Sequence, residues 1–240
     1  MMTSERKFEF DQVAFFGRSI EEYVDMFDLN LGELRGKKVL DVSSGPAAFA
    51  GQAAKLGIEV VAVDPMYGSP LEKLRQIVDR DTDAVKLKSD SNRHLLHPQV
   101  VAPAQRRKAM ELFLSDFAES KESHRYVEAS LPDLPFLDLS FDMVLNANFL
   151  FLYSDIASGG MSSTSRFDYE FHRQAIEELI RVSRHEVRIH PLRAPGAGEH
   201  AYLRELMAKL DDEGFEVLLQ PVSQRDIIGA EEMLRIIRHQ

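Results

Sequence analysis

The sequence predicts an α/β protein built on a doubly wound, mostly parallel sheet. Two segments carry that prediction. Val39 to Asp64 reads as strand, tight glycine turn, helix, second strand and then an acid, which is a βαβ unit. From Tyr126 to Asn148, two further apolar runs are separated by a Leu-Pro-Asp-Leu-Pro turn segment. At 240 residues, with 44% apolar residues, the chain is long enough to bury a full core, and residues 1–240 are expected to form one domain with additions.

The elements follow in chain order. Ser19 and Glu22 have capping-box spacing ahead of Tyr23, Val24, Phe27 and Leu29, predicting an amphipathic N-terminal helix, with residues 1–30 acting as a helical lid. The first strand is expected over 38–42. Gly45-Pro46 then opens a small-residue segment from Ala47 to Leu56, closed by Gly57, the usual punctuation of a helix. The run over 58–63 is short, rich in valine and not alternating, as expected of a strand covered on both faces. About sixty residues separate Asp64 from the next strand, and a structureless loop of that length does not suit a compact domain. Helical apolar spacing over 71–78 and 104–117, with Met110, Leu112, Phe113 and Phe117 on or near one face, predicts a helical cap inserted over 66–120. Between those helices the polar run Ser89 to His97 reads as an exposed segment. Further strands are expected over 125–128, 141–146, 185–190, 215–219 and 233–237, with a helix over 199–212 stopped at Gly214.

In an open α/β sheet, ligands bind beyond the carboxyl ends of the strands, where Ser43, Gly45 and Asp64 fall. Gly45 lets the turn tighten and a ligand approach the backbone, while the Asp64 carboxylate can accept hydrogen bonds from two vicinal hydroxyls. These features describe a nucleoside pocket. A dinucleotide site would show G-x-G-x-x-G after the strand. Here only Gly45 is present, and Asp41 places a negative charge where it would repel a pyrophosphate.

Asp41-x-Ser43-x-Gly45-x-Ala47 resembles motif I of class I S-adenosyl-L-methionine (SAM) dependent methyltransferases, D/E-x-G-x-G-x-G, with two of its three glycines replaced. Leu134-Pro135-Phe136 followed by Ser140-Phe141-Asp142 resembles the connection between that family's strands 3 and 4. Phe149-Leu-Phe-Leu-Tyr-Ser154, Phe16-Gly-Arg-Ser-Ile-Glu-Glu-Tyr23 and Glu186-Val-Arg-Ile-His-Pro-Leu192 are similar to a bacterial subgroup of methyltransferase-like proteins of uncharacterised reaction. The resemblance implies a seven-stranded Rossmann-like methyltransferase sheet of order 3-2-1-4-5-7-6 with an antiparallel strand 7. It also implies SAM as cofactor, with Asp41, Ser43, Gly45 and Ala47 forming the loop, Asp64 the ribose acid and Ser130 the adenine contact.

The remaining site candidates come from chemistry at the expected ligand edge. Asn146 and Asn148 carry amides able to orient an acceptor or the SAM amine, and Tyr153 follows them. Arg18 in the lid can hold a methionine carboxylate, and Tyr23 can face a sulfonium. His190, at the end of the fifth strand, is a candidate base.

Composition narrows the partners. Absence of cysteine excludes disulfides, thiolate catalysis and cysteine-ligated zinc; His94 and His97 have no acidic helix partner, so no metal is expected. A net charge of −10 argues against nucleic acid and for a small-molecule substrate. With neither a membrane-length apolar run nor a signal-peptide core in the sequence, the expectation is a cytoplasmic protein and no membrane partner. Nothing in the sequence fixes an oligomeric state. Three readings result: a methyltransferase acting on a small molecule; a SAM cyclase or lyase releasing methylthioadenosine; and a non-catalytic SAM-binding module.

Overall fold

The structure is a computed structural model that describes residues 8–98, 100, 103–120, 123–224 and 226–239. The expected lid before Phe8, and residues 99, 101 and 102 of the expected cap, lie outside these residues.

Seven strands form one sheet: β1 (Lys38–Val42), β2 (Glu59–Val63), β3 (Tyr126–Val127), β4 (Phe141–Ala147), β5 (Ser183–His190), β6 (Glu216–Pro221) and β7 (Glu232–Ile237). Their order is β3-β2-β1-β4-β5-β7-β6. Pairs among β1 to β5 are parallel, and β7 runs antiparallel to both β5 and β6. Both the order and the reversed strand are those the sequence implied.

Strand alternation divides the core into two layers. Val39, Val60, Met143 and Leu145 pack with α1 (Ile20–Phe27), α2 (Phe49–Lys55), α3 (Leu71–Ser91) and α4 (Pro103–Glu119). Leu40, Val42, Val144 and Val187 face the other way and pack with α5 (Tyr169–Val182) and α6 (Leu203–Asp212). Among the described residues no helix is long and apolar enough to cross a membrane.

Local chemistry accounts for the boundaries. Ser19 Oγ accepts from the Glu22 N–H at 3.3 Å and Glu22 Oε2 accepts from the Ser19 N–H at 3.0 Å, so the expected capping box starts α1. Helix α2 begins at Phe49, later than the Gly45-Pro46 signal suggested, because residues 43–48 turn aside with positive φ at Ser43 and Gly45. Gly57, at φ 76°, closes it as expected.

The polar run from Ser89 is exposed at Asp90, Ser91, Arg93 and His94, as expected, but its first residues are helical. No Gly or Pro interrupts Leu71 to His97, so α3 continues to Ser91, supported by the exposed Lys86–Asp90 pair at 2.8 Å. Buried Leu96 then bridges to Ile227, fastening the insertion to the segment before β7.

Candidate active site

A cavity of about 730 Å³ opens over the carboxyl ends of β1, β2 and β4. Its floor is the turn after β1. Ser43 and Gly45 both adopt left-handed backbone, with φ 59° and 56°, which Gly45 accepts freely and Ser43 does at a cost. Tertiary hydrogen bonds hold this turn. The Gly45 N–H donates to Asp64 Oδ2 at 3.0 Å, the Tyr67 hydroxyl donates to the Gly45 carbonyl at 2.6 Å, and the Ser44 N–H donates to the Val63 carbonyl at 3.0 Å. Asp64 Oδ1 accepts from the Met66 N–H at 2.9 Å, capping the short 3-10 turn Pro65–Gly68. Each carboxylate oxygen thus spends one of its two lone pairs on the backbone. Burial pushes the Asp64 carboxyl up to about 6, against the pull of those two N–H donors.

Asp41 lies beneath the floor, fully buried, and does not line the cavity. Its Oδ2 accepts from the Ser44 hydroxyl at 2.6 Å and the Tyr23 hydroxyl at 2.9 Å, while Oδ1 has no hydrogen-bond partner. Burial pushes its carboxyl up to about 7, and the two hydroxyl donors restrain the rise. Tyr23 stacks on Phe49 with ring centroids 4.5 Å apart, joining α1 to α2 over this carboxylate.

The N-terminal segment ahead of α1 forms the roof. Its backbone is tied down by the Ala48 N–H donating to the Arg18 carbonyl at 2.9 Å, the Phe15 N–H to Asp81 Oδ2 at 2.8 Å and the Phe10 N–H to the Met161 carbonyl at 2.8 Å. Gly17 sits against the turn so closely that a Cβ there would fall 1.9 Å from the Pro46 carbonyl oxygen. Arg18 and Arg106 lie buried beside Glu22 and Asp226. Arg106 Nη2 contacts Glu22 Oε1 at 3.0 Å and also pairs with Asp226, while Arg18 Nη2 reaches Asp226 at 3.2 Å. Arg18 Nε is 3.9 Å from Glu22 Oε1 and makes no hydrogen bond. This two-plus, two-minus cluster ties α1, α4 and the segment before β7 together.

The wall beyond β4 is aromatic. Rings pack in sequence from Phe8 to Phe10 at 5.7 Å, Phe10 to Tyr153 at 6.4 Å, Tyr153 to Phe149 at 6.5 Å, Phe149 to Phe167 at 5.1 Å and Phe167 to Phe171 at 4.6 Å. All six line the cavity. The Tyr153 hydroxyl accepts from the Ala14 N–H at 3.0 Å, and burial pushes its pKa up to about 12. Asn148 stands between the two walls in left-handed backbone, φ 54°, with its N–H donating to the His190 carbonyl at 2.8 Å.

Most of the residues singled out in the sequence come together here. Ser43, Gly45, Ala47 and Asp64 line the floor, Arg18 and Tyr23 the roof, Ser130 the end beside β3, and Asn148 and Tyr153 the side beyond β4. Asn146 and His190, like Asp41, do not line the cavity. The Asn146 amide is fully buried between strands, donating to the Val42 carbonyl at 3.1 Å and accepting from the Leu150 N–H at 3.4 Å. His190 is buried with its edge to Phe27, its Nε2 lies 2.9 Å from the Ala230 carbonyl, and burial lowers its pKa to about 4. An Nε2–H donated to that carbonyl makes it a neutral packing residue in this geometry. Arg106, Arg166 and Asp226 line the cavity without having been anticipated, because charges this far apart in sequence give no spacing signal.

No protein-family model matches the chain. An uncharacterized protein of Methanocaldococcus jannaschii is 29% identical over 185 residues, covering 75% of this chain and 77% of that protein. Among solved structures, magnesium protoporphyrin IX methyltransferase from Synechocystis PCC 6803 with bound SAM superposes with a TM-score of 0.44 at 16% identity, over 87% of this chain and 73% of that one. A SAM dependent methyltransferase from Aquifex aeolicus gives 0.41 at 15% identity, over 91% of this chain and 95% of that one. At these scores the fold assignment rests on the strand order and pairing directions rather than on the superpositions.

Two observations test whether the residues present fit SAM. Asp64 keeps a lone pair on each oxygen for two vicinal hydroxyls, and the unpartnered Arg18 Nε–H at the roof suits a carboxylate. The donor set fits.

Proposed function

We propose that this chain is a SAM-dependent methyltransferase acting on a small-molecule acceptor. The observation that carries the reading is a single cavity with two chemically different walls. One is polar, at the carboxyl ends of β1 and β2, and the other aromatic, beyond β4. A volume of about 730 Å³ lies in the upper half of the roughly 300–1,000 Å³ typical of ligand pockets, which leaves room for an acceptor beside the cofactor. That room favours methyl transfer over an intramolecular cyclase, and the enclosed aromatic wall favours an enzyme over a bare binding module.

When bound, SAM supplies a methyl group already activated by its sulfonium, so the protein has chiefly to align the acceptor. In this reading Asp64 accepts the ribose hydroxyls, the Ser43–Gly45 turn lies along the cofactor, Ser130 meets the adenine amine and Arg18 donates to the methionine carboxylate. Asn148 and Tyr153 orient the acceptor from the opposite side. The N-terminal segment with α1 acts as the lid, and α3 with α4 as the cap.

Incubation with SAM, with and without candidate acceptors, tests this. S-adenosylhomocysteine formed only when an acceptor is present supports the reading. Methylthioadenosine formed from SAM alone would replace it with the cyclase or lyase, and SAM binding without turnover on any acceptor would replace it with the module.

A further inference from the structure

The aromatic half of the cavity constrains the acceptor in three ways, and the inference rests on the methyltransferase reading above. Six linked rings line that half, an apolar aromatic surface that suits a planar ring system and gives little to a flexible polar chain. Second, two donors there lack protein acceptors. The Tyr153 hydroxyl accepts from Ala14 and donates to no group among the described residues. Arg166 lines the cavity with no carboxylate in ion-pair range among those residues, whereas Arg80 pairs with Asp81 at 2.7 Å and Arg18 and Arg106 pair with Asp226.

Third, among the described residues no base faces this half. Asp81 is held by Arg80 and the Phe15 N–H, Asp226 by two arginines, and the His190 ring lies outside the lining. Asp64 belongs to the opposite wall and its own turn. A nucleophile that had to lose a proton on methylation would find no group beside it to receive that proton.

We propose that the acceptor is a planar aromatic acid, stacked between the Phe149–Phe167–Phe171 rings and the Phe8–Phe10 pair, whose anionic oxygen is directed by Tyr153 and Arg166 and is itself the nucleophile. The balance is complete without a base. The oxygen lone pair forms the O–CH3 bond while the S–CH3 bond breaks, the electron pair stays on sulfur, and the charges of anion and sulfonium cancel in the two neutral products. A carboxylate is already ionised at neutral pH and meets this condition, whereas an ordinary phenol, with a pKa of about 10, would still need a base.

Four probes decide it: 2-naphthoate, 2-naphthol, cyclohexanecarboxylate and 2-naphthylmethylammonium, each titrated calorimetrically into SAM-loaded protein, with products read by mass spectrometry. We expect 2-naphthoate to bind at least tenfold tighter than the other three, and its methyl ester to appear with S-adenosylhomocysteine. The methyl ether of 2-naphthol, which forms only if a base takes the phenol proton, would overturn the proposal. Arg166→Gln, at an exposed position, should weaken 2-naphthoate about tenfold while leaving its neutral analogue 2-naphthamide unchanged, as removal of a charge-assisted contact requires. Tyr153→Phe should lower kcat/KM for the anion with no change in SAM affinity. Equal binding of cyclohexanecarboxylate or the ammonium probe, or an Arg166→Gln protein with unchanged anion affinity, overturns the proposal. If SAM itself fails to bind in the preceding titration, the methyltransferase reading falls instead, and the same probes titrated into the SAM-free protein still judge the acceptor class.

Discussion

Asp64→Asn separates cofactor recognition from stability. In the folded chain the carboxyl moves from its ordinary 3.8 to about 6, so keeping it ionised at pH 8 costs about 3 kcal/mol, at 1.36 kcal/mol per pH unit. Asparagine removes that cost, but its single carbonyl oxygen can serve only one of the Gly45 and Met66 N–H groups, leaving the other against an NH2 group. The lost bond costs about 1–3 kcal/mol, so at pH 8 global stability should lie between unchanged and about 2 kcal/mol higher. SAM affinity behaves differently. A carboxylate accepting two hydroxyls contributes two charge-assisted hydrogen bonds, and losing one acceptor and the charge should weaken binding about a hundredfold. Thermal melts paired with calorimetric titration of SAM measure both quantities on one sample. SAM affinity within threefold of the parent, with the fold intact, would refute the assignment of Asp64.

Acidification should move stability and binding in opposite directions. Asp41 and Asp64 both have folded-state pKa values above their ordinary one, so stability is greatest where they are protonated and falls as pH rises through about 6 to 7. Asp41 alone predicts a fold about 1 kcal/mol more stable at pH 6 than at pH 8, read as a higher Tm of the ligand-free protein, while SAM affinity declines below about pH 6 as Asp64 loses its charge. Gly17→Ala drives a methyl group into the Pro46 backbone, so it should cost about 1–3 kcal/mol in chemical denaturation and weaken SAM binding; full stability would mean that the roof is not seated on the turn. His190→Gln should lower Tm yet leave kcat within a few-fold, since the ring is buried against Ala230 and Phe27; a hundredfold loss of kcat at unchanged Tm would restore it as a base.

The first two strands were legible because they are short valine-rich runs flanked by glycine, proline and acids, and α1 because Ser19 and Glu22 mark it with a complete capping box. Helix α5 went unanticipated although its signal is in the chain: Asp168 caps Phe171, and Ala175, Ile176, Leu179 and Ile180 follow at helical spacing. The cavity floor was readable because its residues are local to two strand ends. His190 was misplaced because strand position fixes a residue's depth along the sheet and not which face its ring takes. Asn146 shares that ambiguity: one residue before Ala147, it turns into the sheet, whereas Asn148 opens onto the cavity. The Arg18–Glu22–Arg106–Asp226 cluster assembles three distant stretches, and only folding brings them within reach.

The turn after β1 keeps its shape through bonds made by residues outside it. Where a glycine-rich loop relies on its own freedom, this one is braced from Asp64, Tyr67 and Val63, and Ser43 carries a backbone conformation that glycine would adopt without cost. A search tuned to glycine spacing passes over this turn, which has Gly45 alone. What holds it in shape is its set of bracing partners: the acid at the end of the second strand, Asp64, the tyrosine three positions on, Tyr67, and the Val63 carbonyl.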